Sequence, residues 1–171
     1  MPDGTHQLMN FHSLGQYFYK LYSILFVLLL VPLVVFIVLY QVLQTEALPV
    51  VDLSLYQQHV TYVVGGVTIT VWMVAYLIFR TQLKATRKIF SLGERLSRYA
   101  SLTIVRSVLF SIGLLLLAIG YFFSENQWFT IGFMISLLIP VLNWPIPSRV
   151  CKQLKLKGDE RMMVLFKMDD F

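Results

Sequence analysis

The sequence predicts an all-α integral membrane protein: four transmembrane helices in two antiparallel hairpins, a basic amphipathic connector and short C-terminal helices. Three observations predict it. Hydrophobic residues make up 57% of the 171-residue chain and charged residues only 13%, about half the charged share of an ordinary globular domain. The apolar residues gather in four tracts, each near the roughly 20 residues that cross a hydrocarbon core about 30 Å thick. Apart from Arg80 and Arg106 near span ends, the cations avoid those tracts and fall on alternate connections. No soluble core of this length could hide so much apolar chain. Lipid-exposed backbone must satisfy its own hydrogen bonds, so the tracts are helical, and the alternating pattern of barrel strands is missing.

The first span, about residues 21–42, is built on SILFVLLLVPLVVFIVLY, with Pro32 in its middle favouring a kink. It exceeds the 7–15 residues of a signal-peptide core and lacks a clear cleavage motif after it. It is therefore expected to be retained, with cleavage near Ala47 as the alternative. The first connection, residues 41–60, carries two acids and no Lys or Arg. The second span, about 60–80, reads TYVVGGVTITVWMVAYLIF; the third, about 102–123, holds SVLFSIGLLLLAIGYFF. Between them, residues 81–101 form the basic connector. The tract SENQ, residues 124–127, is short enough to force a tight antiparallel return into the fourth span, about 127–146. Pro145 and Pro147 are expected to end that span and Ser148 to cap a further helix. Gly158 should break this helix, and Asp159 should cap a last apolar piece at 162–166. The tail, residues 148–171, is expected to dock on the basic loop or the membrane, or to bind a partner.

The cations orient these elements. Lys20 precedes the first span, seven of the fourteen Lys/Arg lie in residues 80–106, and six lie in 149–167. An even number of spans puts all of them on one side. By the positive-inside rule both termini and the central loop are cytoplasmic. Aromatic residues agree: Tyr17, Tyr19, Tyr22, Tyr99 and Trp144 fall near the inner interface, and Tyr40, Tyr62, Tyr121 and Trp128 near the outer one. Trp72 sits deeper and is expected to pack on a neighbouring helix.

Candidate functional residues are few. In the connector, Ala85, Ile89, Leu92, Leu96 and Tyr99 share one helical face and Lys84, Lys88, Ser91, Arg95 and Arg98 another, with Gly93 as a weak point. Lys84, Arg87, Lys88, Arg95 and Arg98 are the candidate contacts to anionic headgroups, at about 1 kcal/mol per cation. The plainer reading is that their charge only fixes orientation. A net charge of +5 raises nucleic acid as a partner, but no nucleic-acid-binding motif is present. Arg106 stands apart because it lies near the start of the third span. An Arg at the bilayer centre costs about 2.5–3.5 kcal/mol on insertion scales, whereas one near a span end can reach the headgroups. It is either a snorkelling boundary residue or a contact for a ligand or polar partner.

The four apolar tracts contain no Asp, Glu or Lys, the residues through which proton-coupled transporters commonly relay. They do contain Gly65, Gly66, Thr68 and Thr70, then Ser111, Gly113 and Gly120, then Ser136 and Asn143. Small residues let helices approach and hydroxyls bridge them, so these positions are candidates for helix packing, a dimer seam or a pore. Under this topology His59 lies on the opposite side from His6 and His12; those two could meet, but the N-terminal segment is a poor scaffold for a ligand pair, so no metal or cofactor is expected. The lone Cys151 rules out an intramolecular disulfide and is expected to be an inert buried thiol, with lipidation as the alternative. No catalytic cluster is present.

The second half, from ERLSRYASLTIVRSVLF through GYFFSENQWF to the P-S-R and LKLKGDER tracts, resembles an uncharacterised group of small bacterial four-span integral membrane proteins. The resemblance covers about Leu92 to Arg161 and implies the bacterial cytoplasmic (inner) membrane. It brings no activity with it. The expected function is that of a non-enzymatic accessory or scaffolding subunit, or a small homo-oligomer. Its partners would be anionic lipid on the cytoplasmic side and a protein partner or a second copy, with no nucleic acid. An oligomeric channel or small-solute transporter is the alternative, with Gly65, Gly66 and Thr68 lining a path gated near Arg106.

Overall fold

The computed structural model describes residues 14–45 and 57–166, and their regular structure is entirely helical. The helices are α1 (Leu14–Gln44), α2 (Gln57–Thr86), α3 (Leu92–Ser124), α4 (Gln127–Leu142), α5 (Pro147–Leu154) and α6 (Gly158–Phe166). Three of them, α1, α2 and α3, are long and apolar enough to cross a membrane. Their outward faces carry the large exposed apolar side chains that lipid requires, such as Phe26, Val38, Ile69, Met73 and Ile112. α1 runs through Pro32 as one helix.

The fourth tract differs from a simple span. α4 has 16 residues, about 24 Å at 1.5 Å per residue, which is short of a full hydrocarbon core. A break follows, and α5 leaves at 78° to α4. The pair makes a fourth span only if the bent whole is counted as one. Pro145 disfavours helical geometry at Trp144, and Pro147 sits at the first position of α5, where its fixed φ suits a helix start. Ile146, not Ser148, is the N-cap. The bend is held by side chains from elsewhere. Tyr22 Oη donates to the Pro145 carbonyl at 3.2 Å. Arg149 Nη1 donates to the Leu142 carbonyl, and to that of Trp144 at 3.5 Å, supplying donors to carbonyls that the ended helix leaves open.

The connector expected at residues 81–101 is not one helix. α2 continues to Thr86, the chain reverses over residues 87–91, and α3 begins at Leu92. The reason is burial. Phe79 and Leu83 on α2, and Leu96, Tyr99 and Ala100 on α3, are all sequestered because the two helices fold back on one another. A continuous helix lying on the bilayer would leave half of them without that partner. The tail also departs from expectation in detail. Lys155 in the left-handed region, φ 56°, closes α5 before Gly158 is reached. Gly158 opens α6 instead, at φ 55°, a conformation that favours glycine.

α3 is the hub: it packs on α1, α2 and α4, whereas α1 and α2 make little direct contact. The expected pairing of the first two spans as a hairpin is therefore not how the bundle is held. The tight returns are α2–α3 and α3–α4. In the latter, Glu125 at φ 51° ends α3, and the Asn126 side chain caps α4 through the Trp128 N–H. Two glycines of α3 let aromatic rings reach its backbone. A Cβ on Gly113 would lie 2.0 Å from Trp72 Nε1, and one on Gly120 would lie 2.7 Å from the Phe129 ring.

Burial divides into two cores. One, at the end carrying most cations, joins Tyr17, Phe18 and Leu21 to Phe79, Tyr99, Val150 and Leu154. The other, towards the opposite end, joins Phe36, Leu114, Ala118 and Tyr121 to Phe129 and Phe133. Phe36 and Phe133 stack with centroids 4.2 Å apart. Between the two cores packing is incomplete.

Candidate functional site

The gap between the cores is a cavity of about 160 Å³, walled by α1, α2, α3, α4 and the 143–146 bend. Most of its wall is apolar, contributed by residues such as Leu25, Leu29, Phe110, Leu114 and Ile139. α3 supplies most of the polar exceptions, and Asn143 another. Thr103, Arg106, Ser107 and Ser111 lie one turn apart, so helical periodicity turns them to one side. No Asp or Glu lines the cavity.

Arg106 is half-buried and stands over the Phe79 ring, its Cζ 4.3 Å from the centroid. Beyond this cation–π contact it makes no hydrogen bond or ion pair with a described residue. The guanidinium, with five N–H donors, thus borders a cavity that holds hydroxyl and amide oxygens but no carboxylate to balance its charge. The neighbouring hydroxyls differ. Thr103 Oγ1 donates to the Tyr99 carbonyl at 2.8 Å, which occupies its proton. Ser107 and Ser111 have no such bond among the described residues. Opposite them, Trp72 stacks on Phe110 with centroids 4.8 Å apart and donates Nε1 to the Phe110 carbonyl at 3.4 Å, as its depth in the sequence led one to expect.

Of the packing candidates, Asn143 joins Arg106 in the cavity wall, although its Nδ2 is already given to the Ile139 carbonyl at 2.9 Å. Gly65, Gly66 and Thr68 do not. α2 reaches the cavity through Trp72 and Tyr76. A Cβ on Gly65 or Gly66 would meet nothing within 4 Å, and Thr68 is buried with its hydroxyl on the Val64 carbonyl at 2.8 Å. Ser107 was missed in the sequence, although a serine pair beside the one cation of an apolar tract is a visible signal.

The second functional surface is the basic end, where α5 and α6 dock on the helix return. Gln153 is its fastener: its side-chain Oε1 accepts from Tyr99 Oη at 2.8 Å and its carbonyl from Arg87 Nε at 2.7 Å. Arg95 donates to the Ile89 carbonyl at 2.7 Å and pairs with Glu160 at 3.0 Å. Tyr17 Oη reaches the Leu96 carbonyl at 3.1 Å. Arg87 and Arg95, expected on lipid headgroups, thus donate to protein acceptors, on the docked tail and on the return itself. Lys84 and Lys88 remain exposed and Arg98 is half-buried. Cys151 is buried beneath α6, its thiol 3.9 Å from the Arg161 carbonyl. Burial pushes that thiol up, against the smaller opposite pull of the Arg161 charge. Lys152, Lys155, Lys157 and Arg161 surround a surface cleft of about 380 Å³ over it.

Among the described residues no group of His, Cys, Asp and Glu is gathered to hold a metal; His59 is exposed, and His6 and His12 lie outside the described residues. The acids of the first connection, Glu46 and Asp52, lie outside them as well, as does Lys167. No protein-family model, curated protein or solved structure gives a significant match to this chain.

Proposed function

We propose that the protein is a non-enzymatic accessory or scaffolding subunit of the bacterial inner membrane that holds a partner at its cytoplasmic face. The observation that carries this reading is the basic end. α2 has 30 residues, about 45 Å of helix, so part of it projects beyond a hydrocarbon core of about 30 Å. That projecting part is built into a packed platform with α5 and α6, rather than left as a bare loop. Its surface offers recognition chemistry. Lys152, Lys155, Lys157 and Arg161 share one cleft and make no ion pair with a described residue. Phe90, at the tip of the return, is fully exposed. An acidic partner segment suits such a cleft, while Lys84, Lys88 and Arg98 suit anionic headgroups.

Copurification in mild detergent tests this. A stoichiometric partner that is retained by the wild type, and lost when the four cleft cations are replaced by Gln, supports the reading. A protein recovered alone from native membranes counts against it. Orientation is tested separately in a Cys151→Ser background. Ser54→Cys should react with an impermeant maleimide from outside and Ser91→Cys should not; the reverse would sink the assignment.

The alternative is an oligomeric channel or small-solute transporter, favoured by the cation-bearing cavity between the two cores. Solute flux in liposomes should then fall with Arg106→Ala and with Ser111→Leu, both in the cavity wall. Flux indifferent to both would remove the proposed path.

A further inference from the structure

Arg106 lies 124 − 106 = 18 residues before the end of α3 at Ser124, or roughly 27 Å along the axis. That is nearly the full thickness of a hydrocarbon core, so its Cα sits close to the boundary at the basic end. Side chains on a helix lean towards its N-terminus, and the N-terminus of α3 is at that end. The guanidinium over Phe79 follows this lean. An ordinary boundary arginine would reach open headgroups from there. Arg106 instead borders a partly open cavity, with Ser107 and Ser111 beside it on α3 and Asn143, Trp144 and Pro145 of the bend in the same wall.

The bend gives the cavity its shape. Arg149 holds the carbonyls of Leu142 and Trp144, and Tyr22 holds that of Pro145. The second cation of this region is thereby committed to protein acceptors, and Arg106 is left with its donors free. A guanidinium favours bidentate oxyanions, and phosphate is among its best partners. A cavity of about 160 Å³ has room for several waters, which is enough for a phosphate group, and it is open on one side. The remaining wall, Leu25, Leu28, Leu29 and Ile139, is apolar, and suits the first part of an acyl chain that leaves towards the bilayer.

We propose that this cavity binds the phosphate of an anionic phospholipid, with Arg106 as the principal contact, Ser107 and Ser111 as donors, and the acyl chain laid along α1 and α4. The lipid then serves as the missing counter-charge of the third span and ties the bent fourth tract to the bundle. This differs from the exposed headgroup contacts of the platform, because the site lies inside the fold and takes a single lipid.

The test is native mass spectrometry of the intact detergent-purified chain, titrated with phosphatidylglycerol, with phosphatidylcholine, and with inorganic phosphate alone. Wild type should take one phosphatidylglycerol at least about tenfold more readily than Arg106→Gln, as expected for loss of a charge-assisted contact. Arg106→Lys should recover part of that difference. Ser107→Leu, which keeps the cation and fills the cavity, should abolish the single tight adduct and serves as the second arm if Arg106→Gln fails to fold. Equal uptake of phosphatidylcholine would overturn the requirement for an anionic lipid. Saturation by inorganic phosphate that displaces the lipid would assign the site to a free anion. Tight phosphatidylglycerol binding unchanged in both Arg106→Gln and Ser107→Leu would place the lipid elsewhere and end the proposal.

Discussion

Replacing Gly113 with alanine puts two opposed effects on one atom. In an exposed helix the change gains about 1 kcal/mol of helix propensity. At Gly113 the new Cβ would stand 2.0 Å from Trp72 Nε1 and 2.7 Å from Cε2, so the indole must move by more than 1 Å. The cavity beside it offers space, but its ring lies parallel to Phe110 at 4.8 Å and is hydrogen-bonded to the Phe110 carbonyl, and a shift disrupts both contacts. Overpacking of this kind costs about 1–3 kcal/mol. The net expectation is a loss of up to about 2 kcal/mol in the wild-type background. With Trp72→Leu already in place the obstruction is gone, and Gly113→Ala should then stabilise by up to about 1 kcal/mol. The double-mutant cycle, read by detergent denaturation followed through helical circular dichroism, should show a coupling of about 1–3 kcal/mol. An alanine effect of the same sign and size in both backgrounds would refute the idea that Gly113 exists to admit Trp72.

Gly65→Ala and Gly66→Ala should behave oppositely, each neutral or stabilising by up to about 1 kcal/mol in the same denaturation assay, because no atom lies within 4 Å of the added methyl. If either falls apart in native gels, that face is a seam with a second copy. Arg95→Ala should destabilise the basic end by about 2–3 kcal/mol, since it removes donors to the Ile89 carbonyl along with the pair to Glu160. Glu160→Gln, on a 40% exposed side chain, should cost under about 1 kcal/mol. Hydrogen exchange across residues 87–91 separates the two. Cys151 should resist maleimide in the folded protein and react on unfolding. Its thiol is raised by burial, so its contribution to stability is full below the ordinary thiol range and is lost as pH rises through the folded value. Rapid labelling of folded protein at neutral pH would contradict its burial.

The apolar tracts, the return at SENQ and the deep placement of Trp72 were legible because lipid imposes one pattern on whatever faces it. The glycines were legible only as a class. Gly66 and Gly113 look alike in sequence, yet one faces open space and the other a tryptophan ring; that difference depends on which neighbour arrives. The basic connector was misread for a related reason. Its periodicity was real, but Leu96 and Tyr99 bury against α2 and α5, not against a bilayer. Contacts such as Arg87 with Gln153, separated by 66 positions, and Tyr99 with Gln153, separated by 54, leave no local signature. Arg106 could be singled out in sequence as the cation inside a span without acids, but the cavity it borders, and the Trp72, Ser107 and Asn143 side chains that share it, needed the fold.

The hub position of α3 bears on how the chain is made. α1 and α2 emerge first, yet each finds its main partner in a helix synthesised after both. Until α3 enters the bilayer, the two earlier helices have little to hold them together except lipid. The Tyr17 hydroxyl waits for the Leu96 carbonyl, and Arg87 and Tyr99 wait for Gln153, near the end of the described chain. Assembly at the basic end is therefore completed from the C-terminus. A chain stopped after α4 would have its apolar helices in the membrane and its platform still open.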